Sequence, residues 1–133
     1  MNILFFLTPK SEVAHVREDD TLRQVLEKME HHGYSAVPLL SVEGRYIGTL
    51  TDGDLLWGIK ELGFPSIWDL ENHSVMEIKR ARDNKPVHIH ETMEGLLQKV
   101  AVQNFVPVVD ERRIFIGIVT RGDVLNYLAG IKK

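Results

Sequence analysis

Apolar side chains recur at i, i+3, i+4 and i+7 in Leu22, Val25, Leu26 and Met29, one stripe of an amphipathic helix, and Asp19, Asp20 and Thr21 supply start signals just ahead of it. The stripe returns as Met93, Leu96, Leu97 and Val100. Each is followed by a short apolar run containing a proline, Ala36-Val37-Pro38-Leu39-Leu40 and Phe105-Val106-Pro107-Val108-Val109, of strand length and composition. Turns at Glu43-Gly44 and Glu111-Arg112-Arg113 lead into second strands, Tyr46–Leu50 and Phe115–Val119. Gly48 and Gly117 inside them predict that another group comes close to the backbone. Second helices follow, apolar at Leu55, Leu56, Ile59 and Leu62 in one case and at Val124, Leu125 and Leu128 in the other. With extended candidates at Val13–Val16 and Val87–Ile89, each half predicts β-α-β-β-α.

The halves are copies. Residues 37–56 recur at 106–125, an offset of 69 with eight identities: Val37/Val106, Pro38/Pro107, Ile47/Ile116, Gly48/Gly117, Thr51/Thr120, Gly53/Gly122, Asp54/Asp123 and Leu56/Leu125. The second copy is two residues shorter between its first helix and its first proline-bearing strand. The division runs 1–62 for repeat 1 with its lead-in, 63–73 for a connector and 74–133 for repeat 2. Polar residues Arg82–Pro86 come before the next strand, and Ile67, Leu70, Val75, Met76 and Ile78 are expected on helical turns.

At 133 residues, two units of about 60 residues would each be marginal alone, so a shared globule is expected. A hydrophobic fraction of 44% with 26% charged residues fits a soluble globular protein. The net charge of -3 argues against a dedicated nucleic-acid binder. Absence of cysteine excludes disulfides, thiolate metal sites and thiol nucleophiles, and points to the cytoplasm. The apolar run Ile3–Leu7 is too short for a membrane span or a signal-peptide core and is expected to pack on the body of the protein.

Chemistry concentrates in Gly-x-x-Thr-x-Gly-Asp at a strand-to-helix junction, as Gly48…Thr51-Asp52-Gly53-Asp54 and Gly117…Thr120-Arg121-Gly122-Asp123. A helix start offers free N–H groups to an anion, and a carboxylate nearby can accept both hydroxyls of a ribose diol. The same Thr-x-x-Asp spacing is also a capping box. The two roles are compatible, and the residues alone leave both open.

The paired β-α-β-β-α units, the Val-Pro strands, the glycines and the Thr-x-x-Asp turns resemble a tandem cystathionine-β-synthase (CBS) domain pair, or Bateman module, over nearly the whole chain. Leu7-Thr8-Pro9 is similar to that family's lead-in. The resemblance implies an α/β fold of two repeats packed with pseudo-two-fold symmetry, a stand-alone, non-enzymatic pair without catalytic residues, cofactor or metal, and clefts that bind adenosine ligands. It implies that Asp54 and Asp123 take ribose hydroxyls and that Thr51 and Thr120 lie near ribose or phosphate. Tyr34, Ser35, Ala36 and Val37, with Asn104, Phe105 and Val106, would line the base pockets. A nucleotide of the AMP, ADP or ATP type and an unidentified protein partner are the expected partners, with neither nucleic acid nor membrane.

One charge differs between the turns, Asp52 against Arg121. A unit charge pair near a protein surface is worth a few kcal/mol before screening, so phosphate is expected to bind tightest where Arg121 reaches. A subset of stand-alone bacterial CBS proteins binds cyclic di-AMP, and Val13–Val16, Gly33–Pro38 and Thr120-Arg121 are similar to theirs. Tyr34 would stack on adenine and Arg121 would hold a phosphodiester. Two departures, Glu12 where that subset has a basic residue and a ribose-type Asp in both repeats, lean the reading toward a linear nucleotide and keep cyclic di-AMP as the alternative. A nucleotide-free interaction or scaffold protein is a third reading.

His88 and His90 share a strand face but lack an evident third metal ligand, and His31-His32 suit a helix C-terminus. Trp57, Phe64, Trp68 and Tyr127 lie on or beside the second helices and the connector, where exposure would mark an interface. The resemblance to Bateman modules, in which these helices commonly meet their equivalents in a second module, implies a homodimer. Lys132 and Lys133 read as solvated charges.

Overall fold

The computed structural model describes residues 2–130; Lys132 and Lys133 lie outside the described residues. In chain order the elements are β1 (Thr8–Pro9), β2 (Val16–Arg17), α1 (Leu22–His32), β3 (Ala36–Leu40), β4 (Tyr46–Thr51), α2 (Asp52–Glu61), β5 (Val87–His88), α3 (Met93–Val100), β6 (Phe105–Val109), β7 (Phe115–Thr120) and α4 (Arg121–Leu128). The β-α-β-β-α order expected of each half is present in both. No helix among the described residues is long and apolar enough to cross a membrane.

The chain divides into two compact units, 14–83 and 2–13 with 84–130. In the first, β2 runs parallel to β3 and β3 antiparallel to β4, in register from Ala36↔Thr51 to Leu39↔Gly48. Helix α1 starts on a capping box, Thr21 Oγ1 accepting the Gln24 N–H while Gln24 Oε1 accepts the Thr21 N–H. It ends on Gly33 at φ 66°, a left-handed stop that glycine adopts without penalty. Leu22, Val25 and Met29 of the stripe are buried against Val16, Val37, Leu39, Leu50 and Leu55.

The stretch after α2 belongs to this first core. Turns of 3-10 helix at Asp69–Asn72 and Val75–Glu77 place Leu70, Val75 and Ile78 in it. Gly58 leaves the space Ile78 fills, since a Cβ there would collide with the isoleucine side chain. Burial of these three residues is why the compact unit extends to residue 83, past the point where the sequence division starts a second repeat at 74.

In the second unit the sheet order is β1-β7-β6-β5. The N-terminal lead-in, grouped by sequence with repeat 1, is part of this unit instead. Strand β1 pairs antiparallel with β7 (Thr8↔Ile118, Pro9↔Gly117), and Ile3 and Phe6 are buried with Val87, Leu96, Val100, Val106, Val108, Val119 and Val124. Gly117 permits the pairing, because a Cβ there would strike the Thr8 carbonyl oxygen. The close approach expected at both strand glycines is therefore present: at Gly117 the visitor is β1, and at Gly48 it is the Arg80 and Asp83 side chains.

Helices α2 and α4 are buried along a narrower face than their apolar residues suggest. Leu55 and Val124 face the cores, whereas Leu56, Leu125 and Leu128 are exposed.

Candidate functional site

In each unit the antiparallel pairing joins the two sequence-predicted site segments. Ala36 lies opposite Thr51 and the Asp52 N–H donates to the Ser35 carbonyl at 2.9 Å, so Tyr34–Val37 run beside Thr51–Asp54. The second copy repeats the arrangement: Phe105 lies opposite Thr120 and the Arg121 N–H donates to the Asn104 carbonyl at 2.9 Å. Val37 and Val106 place their side chains in the cores, leaving Tyr34, Ser35 and Asn104 as the exposed members. Tyr34 is 49% exposed and stacks on His32 with ring centroids 5.6 Å apart.

Both threonines cap their helices. Thr51 Oγ1 accepts the Asp54 N–H at 3.0 Å, and Asp54 Oδ2 accepts the Thr51 N–H at 3.1 Å, a reciprocal capping box. Asp54 Oδ1 accepts the Ala81 N–H at 3.0 Å. The carboxylate is only 6% exposed and each of its oxygens already has a donor. In the second copy Thr120 Oγ1 accepts the Asp123 N–H at 3.1 Å, and Asp123 is only partly buried. The matched motif thus sits in two environments.

Around the first turn the chain adds residues that the sequence did not single out. Asp83 Oδ1 accepts the Thr49 N–H at 2.9 Å and the Arg80 Nε–H at 2.8 Å, and Arg80 Nη2 reaches Asp83 Oδ2 at 3.2 Å. Gly48 makes room, since a Cβ there would meet both side chains. Burial pushes the Asp83 carboxyl up, but the hydrogen bonds from Arg80 and Thr49 and the Arg80 charge outweigh it and hold the group below its ordinary value. The same hydrogen bond raises Arg80. Beneath them Tyr46 Oη and Thr49 Oγ1 share a buried hydrogen bond of 2.7 Å. The signals in the sequence were Gly48 and the polar run that contains Asp83; the hydrogen bond from Thr49 to Asp83 that joins them spans 34 positions.

The charge difference between the turns is also given a structure. Asp52 is exposed and its Oδ1 accepts the Gly53 N–H at 2.8 Å. Arg121 Nε donates to the Val100 carbonyl at 2.7 Å, which sets a cation at the C-terminal end of α3, where the helix dipole favours it. The guanidinium is thereby anchored beside the Thr120–Asp123 turn. The strand start next to it is pinned as well, with Asn84 Nδ2 and Gln103 Nε2 both donating to the Phe105 carbonyl.

His88 and His90, expected on one strand face, have ring centroids 5.2 Å apart, but β5 ends at His88 and His90 stands in the turn that follows. No cluster of three or more potential metal ligands occurs among the described residues.

Comparison with known proteins decides the family. The family model of the CBS domain matches residues 6–61 and again 77–130. The chain belongs to the CBS-domain family. Among CBS proteins it is 30% identical over 128 residues to cyclic di-AMP receptor B of Bacillus subtilis (strain 168), covering 92% of this chain and 83% of the relative. The crystal structure of CbpB from Listeria monocytogenes in complex with c-di-AMP is similar with a TM-score of 0.82 and 26% identity, over 96% of this chain and 95% of that one. A further crystal structure of CbpB in complex with c-di-AMP matches in fold with a TM-score of 0.85 at 21% identity, over 98% of this chain and 85% of that one. The tandem CBS reading of the sequence, with its mixed α/β architecture, is borne out.

Proposed function

We propose that this CBS protein is a non-enzymatic regulatory module that binds an adenine nucleotide at its Thr-x-Gly-Asp turns and passes the bound state to a protein partner. Among adenine nucleotides the reading favours cyclic di-AMP. The observation that carries the choice is Asp54, whose buried carboxylate is already shared between the Thr51 and Ala81 N–H groups. A linear nucleotide offers a vicinal diol that seeks a free carboxylate. A 3′,5′-cyclic dinucleotide has no such diol and asks instead for a cation on its phosphodiester and a flat surface for adenine. Arg121, anchored on Val100, supplies a cation of that kind beside the second-copy turn, and the exposed ring of Tyr34 supplies a flat surface beside the first-copy turn. The Bacillus and Listeria relatives, at 30% and 26% identity, support the same ligand class.

A cytoplasmic location and a homodimer complete the proposal. Leu56 and Trp57 on α2, and Leu125 and Leu128 on α4, are all more than half exposed, apolar surface of the kind that association covers. Titration calorimetry of the purified chain against cyclic di-AMP, AMP, ATP and S-adenosylmethionine tests the ligand. Micromolar or tighter binding of cyclic di-AMP, with weaker binding of the others, is expected. Preferential binding of a linear nucleotide would restore that reading, and silence from all four with folded protein would leave the turns as helix caps.

A further inference from the structure

The segment Arg80–Asp83 is tied to the first turn at two points. The Ala81 N–H donates to Asp54, and the Asp83 carboxylate, forked by Arg80, sits on the Thr49 N–H over Gly48. Ile78 anchors the segment upstream in the core. Between these ties Ala81, Arg82 and Asp83 are exposed, so the segment is a strap held by a few hydrogen bonds rather than by apolar burial. Such a segment opens locally at much lower cost than the core beneath it.

Resting on the nucleotide reading above, we propose that this strap is the specificity determinant of the first-copy turn. By holding Asp54 on the Ala81 N–H it closes the carboxylate there to a free ribose diol, and it thereby discriminates against linear adenine nucleotides in favour of phosphodiester-linked ones. The chemistry is a competition for one acceptor group. Asp54 Oδ2 is committed to the helix cap and Oδ1 to Ala81, and with 6% of the residue exposed a diol reaches Oδ1 only when the strap lifts. A linear nucleotide at this turn then binds with its affinity reduced by the fraction of molecules in which the strap is open. A ligand that makes no demand on Asp54 is not reduced. The ribose-type aspartate that sets this chain apart from the cyclic di-AMP subset is, in the first copy, a strap anchor.

Two substitutions loosen the strap without touching Asp54. Asp83→Ala removes its hold on Thr49 and Arg80, and Gly48→Ala drives a methyl group into the Asp83 carboxylate and Arg80. For each variant, exchange of the Ala81 amide is followed by NMR, and AMP and cyclic di-AMP are titrated by calorimetry. Faster Ala81 exchange together with AMP affinity raised about fivefold or more, cyclic di-AMP affinity being retained, is the expected result. Faster exchange with AMP affinity unchanged or reduced overturns the strap proposal while leaving the nucleotide reading intact. Slow Ala81 exchange in both variants likewise overturns it, because the strap then does not depend on these contacts. If neither nucleotide binds wild type or variant, the nucleotide reading itself falls and the strap proposal with it.

Discussion

Asp83 closes the backbone of strand β4 by accepting the Thr49 N–H at 2.9 Å across 34 positions of sequence. Arg80 shares the carboxylate, so a charged pair and a strand amide depend on one side chain. Replacing it by asparagine keeps the shape and removes the charge. Asp83→Asn is expected to destabilise the protein by about 1 kcal/mol at neutral pH, a modest value because the side chain is partly solvated. The folded-state pKa is lowered, so this contribution is fully present above the ordinary carboxylate range and is lost as pH falls through the folded value. Thermal melts at pH 7 and pH 3 check the sign: wild type and variant should differ at the first, and the difference should shrink at the second.

The two helix caps predict a graded series. Thr51→Ala and Thr120→Ala each remove one acceptor from a helix N-terminus and should cost about 1 kcal/mol. Asp54→Ala should cost more, about 2–3 kcal/mol, because it leaves both the Thr51 and Ala81 N–H groups without their acceptor. Denaturant titrations measure all three. Equal losses at Asp54 and Thr51 would mean that the Ala81 contact contributes nothing.

Much of this architecture is legible locally. The stripe Leu22–Met29, its cap at Thr21 and the prolines inside β3 and β6 act over a few residues, and periodicity reads such interactions well. Gly48 and Gly117 announced visitors but could not name them, because Asp83 and the Thr8–Pro9 strand arrive from far along the chain. For the same reason Thr51-x-x-Asp54 read equally as cap and as ribose site. Only the Ala81 amide, 27 positions away, shows where the second oxygen goes. Apolar content alone also overstated the buried face of α4, whose single fully buried residue is Val124.

The lead-in carries the clearest long-range consequence. Ile3 and Phe6 are buried in the unit that holds the second copy, and β1 extends its sheet. Phe6→Ala is expected to cost about 3–5 kcal/mol. Gly117→Ala should act on the same contact by pushing the Thr8 carbonyl away, at about 1–3 kcal/mol. Hydrogen exchange locates the damage: in both variants, amides of β6 and β7 should lose protection before those of β3 and β4. The reverse order would place the lead-in's stabilising contacts elsewhere.

Arg121 is where the fold and the proposed ligand chemistry meet on one side chain. Its Nε is held by the Val100 carbonyl at the end of α3, which fixes the guanidinium without neutralising it. Arg121→Lys keeps the charge but loses the fork geometry that suits a phosphodiester, whereas Arg121→Ala loses both. If the arginine only ties α4 to α3, the alanine variant lowers the melting temperature and leaves nucleotide affinity where it was. If it holds phosphate, cyclic di-AMP affinity should fall about tenfold or more in Arg121→Ala and by less in Arg121→Lys, with salt weakening wild-type binding more than that of the alanine variant. Affinity measured at two ionic strengths separates the cases, because an anchoring role carries no salt dependence into the binding step.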